Sequence, residues 1–431
     1  MDLAAFASAV LGYRSIVYLT VTARNEWSST LANTEQLSYF FPSVGLSGVI
    51  SQMLDMPQWV DFLKVRASWA DVGSPLPVNL TGTSYIWNDT TQSWTLPSYR
   101  PLTKLYPEKT SSWEVGVDFR FLKLFKLDLT WYLSDTKNQT LTVNTSAAAG
   151  GYTQMYVQTG NVRNWGFEAS LGYNTQLQDL YWDGAVTFSA NRNIITELLD
   201  DYYDPLTDAH YSVSELHMGS NYLVKGGSMG DVYATKEFAR DAEGNIAINS
   251  STSNVMSVDL GSNPKYLGSV LPKANLGWNN TFSYKGINLN VLFTARLGGI
   301  CVSPTQAYMD YYGVSQASAD ARNAGGIRVN GGLVDAEGYY KVARDILSEY
   351  TYDATTVRLQ ELSLGYTLPS KWFQDKLKMS VSLIGRNLWL IYCKAPFDPE
   401  CTASTGTYNQ GYDYFMSPSL RNVGFSVNFE F

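Results

Sequence analysis

Apolar and polar positions alternate along most of this chain, in runs of about ten residues bounded by Gly, Pro, Asn, Asp or Ser, which is the pattern of β-strands with one apolar face. Trp113, Val115, Val117, Phe119 and Phe121 alternate with Glu114, Gly116, Asp118 and Arg120. Leu127, Leu129, Trp131 and Leu133 alternate with Lys126, Asp128, Thr130 and Tyr132, and Trp165, Phe167, Ala169, Leu171 and Tyr173 with Gly166, Glu168, Ser170 and Gly172. Ile287, Leu289, Val291, Phe293 and Ala295 face away from Asn288, Asn290, Thr294 and Arg296. The chain ends in Phe425, Val427, Phe429 and Phe431 opposite Ser426, Asn428 and Glu430. Helical periodicity is nearly absent, so the pattern predicts an all-β fold.

About a dozen strands follow from this alternation, near 14–24, 39–50, 61–70, 111–121, 125–136, 161–175, 180–191, 272–284, 287–297, 355–368, 377–389 and 418–431. They are longer than the five or six residues usual in soluble sheets and suit tilted strands that cross a bilayer. The connections alternate between short and long. Leu122–Leu124, Gln176–Asp179 and Lys285–Gly286 are tight, whereas 25–38, 71–110, 137–160, 192–271, 298–354 and 390–417 are long. In an antiparallel meander every second connection lies at the same edge, so all long loops share one side. Outer-membrane barrels have this asymmetry, with short periplasmic turns and long extracellular loops. Tyr39, Phe40, Trp69, Trp113, Trp131, Tyr132, Trp182, Trp389 and Tyr392 fall near strand ends, where amphipathic rings form girdles at the headgroup level. The expectation is an antiparallel transmembrane β-barrel of about twelve strands, with apolar rows outward in lipid.

Composition narrows the alternatives. Of 431 residues only 16% are charged and 14% are aromatic, the reverse of a disordered chain. No run of 18 apolar residues occurs, which excludes an ordinary membrane-spanning helix. A net charge of −8 leaves no broad basic surface, so no nucleic-acid partner is expected. Cys301, Cys393 and Cys401 are too few for a disulfide scaffold. Cys393 and Cys401 are close enough to pair across a loop, and inert thiols are an equal reading. Met1–Ala9 has no basic n-region, no continuous apolar core and no cleavage site, so no export signal is read in it.

Catalytic chemistry is sparse. The two histidines, His210 and His217, fall in the longest connection, and no HExxH, CxxC or EF-hand spacing occurs. Gly226-Gly227-Ser228-Met229-Gly230 matches the nucleophile elbow G-x-S-x-G, but no helical pattern follows and both histidines lie upstream, contrary to the hydrolase order. It reads as a glycine-rich turn. No enzyme activity, metal or cofactor is expected. The loops instead carry rings. Trp87 and Trp94 lie in one, Tyr308, Tyr311 and Tyr312 in another, and Tyr412 and Tyr414 before the last strand. Such rings beside amides and hydroxyls suit sugars, peptides or a protein partner, and they equally suit small loop cores. These seven are the candidate ligand or partner contacts.

Several strings resemble the barrel of SusC/RagA-type TonB-dependent transporters. They include Arg24-Asn25-Glu26-Trp27-Ser28-Ser29-Thr30-Leu31, Pro107-Glu108-Lys109-Thr110-Ser111-Ser112-Trp113-Glu114, Gly160-Asn161-Val162-Arg163-Asn164-Trp165-Gly166-Phe167-Glu168, Arg358-Leu359-Gln360-Glu361-Leu362-Ser363-Leu364-Gly365-Tyr366 and Gly385-Arg386-Asn387-Leu388. The glycine-rich turn at 225–233 is similar to a loop of the same family. The resemblance implies a plugged outer-membrane barrel that imports glycans or peptides. A SusD-like surface lipoprotein would cover its extracellular side, and the TonB complex would supply energy. It runs from about residue 13 to Phe431 and matches the C-terminal barrel portion of plugged transporters with about 22 strands. Residues 1–431 are therefore expected to be the C-terminal part of such a receptor, with plug and N-terminal strands absent, and not competent alone. Glu114, Asp118, Arg120, Asp128, Glu168 and Arg296 would face the lumen and the plug. Phe429 and Phe431 resemble the signal that the barrel-assembly machinery reads.

Two other readings predict different observations. A self-contained passive pore or adhesin would pair strand 14–24 with strand 418–431. A secreted β-rich carbohydrate-binding or hydrolytic protein would bury its apolar rows between two sheets.

Overall fold

The structure, a computed structural model, describes residues 1–31, 38–74, 85–95, 99–100, 106–144, 154–158, 160–204, 208–218, 221–374, 376–404 and 410–430. Thirteen of its strands form one sheet in which each is hydrogen-bonded to its neighbours in chain order. They are β1 (Asp2–Tyr13), β2 (Val17–Ser28), β3 (Ser38–Val49), β4 (Val60–Ser74), β5 (Glu108–Phe121), β6 (Phe125–Lys137) and β7 (Asn161–Leu177). They continue with β8 (Leu180–Glu197), β9 (Ala274–Tyr284), β10 (Ile287–Leu297), β11 (Thr356–Thr367), β12 (Lys378–Cys393) and β13 (Asn422–Glu430). Twelve of them fall on the expected segments. The first does not, and its sequence explains why. Leu3, Ala5, Ala7, Ala9 and Leu11 stand on one face, and Ala4, Phe6, Ser8 and Val10 on the other, so neither face is polar enough to mark an alternation. Pairing with β2, from Asp2 opposite Ser28 to Tyr13 opposite Val17, makes this segment a strand.

The turn Lys285–Gly286 has positive φ at both positions, 47° and 87°, the backbone that matches the twist of a two-residue hairpin. The connections 122–124, 178–179 and 285–286 are tight and 75–107, 138–160, 198–273, 298–355 and 394–421 are long, but 29–37, in a segment expected to be long, has nine residues against ten in 50–59 and in 368–377, so the alternation is not strict along the whole meander. Within each part of the sheet the long connections therefore share one end of the strands.

The described residues divide into two compact units. The first comprises Met1–Thr175, Thr187–Leu216 and Leu223–Ser228, and the second Gln176–Val186, His217–Tyr222 and Met229–Phe431. In the first unit, register lines up an apolar row Trp69–Trp113–Leu133–Trp165 and a second row Ala67–Val115–Trp131–Phe167. Trp113, Val115, Trp131, Trp165 and Phe167 are all exposed. The opposite face of β4–β6 is a charge cluster. Arg66 lies 3.6 Å from Glu114, 3.4 Å from Asp118 and 3.3 Å from Asp128, and it donates to Thr130 Oγ1 at 2.6 Å. Gly116 leaves room for it, since a Cβ there would stand 2.5 Å from the guanidinium carbon. In the second unit the row Ile287–Tyr366–Val381–Val427 is exposed throughout. Its reverse face carries Asn290, which donates to Asn279 and Thr281 at 3.0 Å.

One polar residue interrupts the outward apolar face. Asn280 stands between Trp278 and Phe282 on β9 and is buried. It accepts a hydrogen bond from Trp182 Nε1 at 3.1 Å, so the amide is satisfied and covered by an indole.

Buried apolar side chains concentrate in the connections. Phe238, Val255, Val329, Val334, Ile346 and Tyr350 form one core, and Val232, Val270, Val302 and Tyr412 another. The segment 298–355 also contains three helices, α1 (Pro304–Tyr311), α2 (Gln316–Asn323) and α3 (Ala336–Ala343). Ser303, Ser315 and Asp335 cap them by accepting the amides of Gln306, Ser318 and Gly338, the preferred N-cap chemistry. Each has only eight residues, too short for a 3.6-residue period to stand out, and sequence periodicity missed all three. The apolar rows are thus outside, contrary to a two-sheet soluble core. No described helix is long and apolar enough to cross a membrane.

Candidate functional site

The loop aromatics separate into three groups. Trp87 and Trp94 face each other across a hairpin formed by Ile86–Asn88 and Ser93–Thr95. Their centroids are 5.3 Å apart, edge to face, and both are exposed. They stand in the first unit with each other as ring partners. In the second unit, α1 carries Tyr308 and Tyr311 and is followed by Tyr312. Tyr308 packs on Tyr312 at 6.4 Å and on Phe415 at 5.7 Å, Phe415 packs on Tyr414 at 5.1 Å, and Tyr311 meets Tyr312 at 4.8 Å. Thus Tyr308, Tyr311, Tyr312 and Tyr414, about 100 residues apart in sequence, form one ring cluster. Tyr412 differs. It is 7% exposed within the apolar cluster of Val232, Val270 and Val302, and burial pushes its hydroxyl up to about 12.

A cavity of about 660 Å³ opens beside these rings, lined by Tyr308, Tyr350, Tyr412 and Tyr414 together with Lys236 and Arg344. This volume lies within the range of small-molecule sites, about 300–1,000 Å³. Sequence reasoning missed both cations, because nothing in their local strings places them beside α1. Arg344 follows α3, and its guanidinium carbon lies 4.5 Å from the Tyr311 ring centre and 5.9 Å from that of Tyr308. Its Nε donates to Asp345 at 3.0 Å, and Lys236 Nζ lies 3.4 Å from the other oxygen of Asp345. Burial alone would raise the Asp345 carboxyl, but the bonds from Arg344 and Lys236 outweigh it and hold the group below the usual range. The wall therefore carries two cations against one carboxylate.

Tyr412 adds the second notable feature. The residue lines the cavity, and its buried hydroxyl has no hydrogen-bond partner among the described residues. A second cavity of about 630 Å³ lies on another side of α1, between Asp310, Tyr339, Tyr340 and Glu349. Burial, then the neighbouring Glu237, raises the Glu349 carboxyl.

The remaining candidates are simpler. The glycine-rich segment is a turn. Gly226 donates to Ile195 O and Ile195 to Gly227 O, both at 2.8 Å, so the turn is docked on the end of β8. His210 Nδ1 lies 2.6 Å from Asp201 on an exposed hairpin. Cys301, Cys393 and Cys401 are free thiols. Of the two readings open for Cys393 and Cys401, the bridge is not formed. Cys393 donates instead to the carbonyls of Ala395 and Phe397. Phe429 is exposed on β13 opposite Met379, and Phe431 lies outside the described residues.

Residues 3–388 match the family model described as TonB dependent receptor-like, beta-barrel. The chain is 24% identical to TonB-dependent receptor P3 of Formosa agariphila over 97% of its own length and 44% of that protein. It is 24% identical to TonB-dependent receptor SusC of Bacteroides thetaiotaomicron, over 93% of this chain and 42% of that one. Among solved structures, the RagAB peptide importer in its open-open state superposes with a TM-score of 0.78 at 19% identity, over 99% of this chain and 46% of that chain. The chain spans a little under half the length of the curated relatives it matches.

Proposed function

Because this chain belongs to the TonB-dependent receptor-like β-barrel family, we propose that it builds the C-terminal part of the wall and the surface loops of an outer-membrane importer of glycans or peptides. Its work is binding and gated passage, without covalent chemistry. The observation that carries this reading is the outward exposure of whole apolar rows, such as Ala67–Val115–Trp131–Phe167 in the first unit, while the reverse face of the same strands gathers charge around Arg66. Lipid replaces the missing protein core on the first face. On the second, the acidic groups around Arg66 meet a plug domain supplied by the rest of such a receptor.

The long connections form the substrate side. Trp87 and Trp94 present exposed rings to a surface lipoprotein of the SusD type, and Tyr308, Tyr412 and Tyr414 line a ligand cavity, with Tyr311 and Tyr312 in the ring cluster beside it. The TonB complex acts through parts of the receptor outside this chain. Phe429 on β13, and Phe431 outside the described residues, belong to the C-terminal sequence that the barrel-assembly machinery reads.

The test is genetic and biochemical. Cells lacking the receptor gene are compared with wild type for uptake of labelled oligosaccharides and oligopeptides, and membranes are fractionated with an antibody to this chain. Loss of uptake of one class, with the chain in the outer membrane, supports the reading. Unchanged uptake of every class, or a chain found in the soluble fraction, removes it.

A further inference from the structure

We propose that the 660 Å³ cavity between α1, Lys236, Arg344 and Tyr412 seats an anionic sugar unit, its ring against the tyrosines and its carboxylate or sulfate ester at the two cations. This rests on the importer reading and narrows its substrate class. Three observations lead to it independently. First, the wall is rich in flat apolar surface beside hydroxyls, from Tyr308, Tyr350 and Tyr414, the surface that the C–H face of a sugar ring covers well. Second, the wall has a surplus of positive charge. Asp345 accepts one hydrogen bond from Arg344 Nε and one from Lys236 Nζ, which leaves the other guanidinium N–H groups and the remaining ammonium protons to meet one anion. Third, Tyr412 lines the cavity, and its buried hydroxyl has no partner among the described residues. Leaving such a group unpaired is costly, and a ligand hydroxyl that reaches it supplies the bond.

The backbone decides against a peptide. The amides of Val302, Ser303, Arg344 and Ala403 already donate to Gly411, Tyr350, Tyr340 and Tyr412, and the carbonyl of Val302 accepts from Asp413. Ser303 Oγ is occupied as well, donating to Asp413 Oδ2 at 2.7 Å while it caps α1. An extended peptide would find its own amides facing paired groups, whereas a sugar needs only the rings, one hydroxyl and the cations.

The intact receptor, purified in detergent with every chain that accompanies it, is titrated calorimetrically with oligogalacturonate and its methyl ester, and with a sulfated galactan oligosaccharide and its desulfated form. One acidic form is expected to bind at least tenfold more tightly than its neutral partner. That preference falls to less than threefold in Arg344→Gln and, as a check that does not disturb the Tyr311 contact, in Lys236→Gln. Tyr412→Phe weakens acidic and neutral forms alike, by about fivefold. Equal binding of each acidic form and its neutral partner, or a preference that survives both cation variants, overturns the inference. Tighter binding of an oligopeptide than of any sugar overturns it too. Uptake by cells separates the two claims. Import of neutral sugars or peptides alone sinks this inference and leaves the importer, whereas acidic-sugar binding without any import sinks the importer.

Discussion

Arg358 Nη2 on β11 donates to Asp398 Oδ1 at 2.7 Å, with the two side chains only 4% and 9% exposed. The pair ties the connection 394–421 to the sheet. Arg358 also donates to the Asn387 side chain, which a bulge with φ of 52° on β12 turns toward it. Ser419 donates to the second oxygen of Asp398, so one carboxylate gathers both ends of the connection.

Replacing one member of this pair strands a buried charge. Arg358→Met or Asp398→Leu is expected to destabilise the folded chain by about 3–5 kcal/mol, whereas the double replacement recovers most of that loss. Urea unfolding of the four proteins in lipid, followed by tryptophan fluorescence, gives the coupling. Additive losses in the double variant would show that the two groups do not depend on each other.

The same pair sets a pH limit. Burial tends to raise the Asp398 carboxyl, but the bonds from Arg358 and Ser419 outweigh it and hold it below its ordinary 3.8. A depressed carboxyl contributes stability that is complete above its unfolded value and is lost as pH falls through the folded one. Protease sensitivity of the connection 394–421 should therefore stay low from pH 7 to about pH 4 and rise only below that. A rise between pH 7 and pH 5 would assign the anchor to another group.

Gly166 on β7 has no space for a side chain. A Cβ would stand 2.5 Å from the carbonyl oxygen of Ala190 and from the Tyr132 hydroxyl. Gly166→Val is expected to cost about 1–3 kcal/mol through overpacking. Tyr132→Ala in the same background relieves only the side-chain half of the clash, whereas Tyr132→Phe would keep the ring carbon Cζ 2.6 Å from the added Cβ. The urea midpoint measures both, and an unchanged midpoint in Gly166→Val would contradict the packing described.

Neighbouring positions on β11 test which face meets lipid. Leu364 is 55% exposed in a row with Leu383 and Phe425, and Ser363 points to the other side. Leu364→Arg should cost about 2–4 kcal/mol of barrel stability if it lies near the bilayer centre, and Ser363→Arg much less. Refolding into vesicles quantifies both. Equal costs would mean that the two faces share one environment.

Alternation alone determined most of the sheet, because successive strand residues point to opposite sides, so a list of letters already sorts Trp113, Val115 and Val117 from Glu114, Gly116 and Asp118. It also placed the tight turns 122–124, 178–179 and 285–286 between long connections, and so the end where those loops gather, although not the near-equal lengths of 29–37, 50–59 and 368–377. It failed at Asp2–Tyr13, where alanines on both faces carry no contrast, and at α1 to α3, which are shorter than the window over which a helical period shows. The rings of the candidate site were legible as residue types in loops. Their partners were not. Lys236 reaches Asp345 across 109 positions and Ser303 reaches Asp413 across 110, and the buried hydroxyl of Tyr412, without a partner among the described residues, exists only once the core of Val232, Val270 and Val302 has closed around it. Local pattern fixes the direction in which a side chain points, but only packing between distant segments decides what it meets.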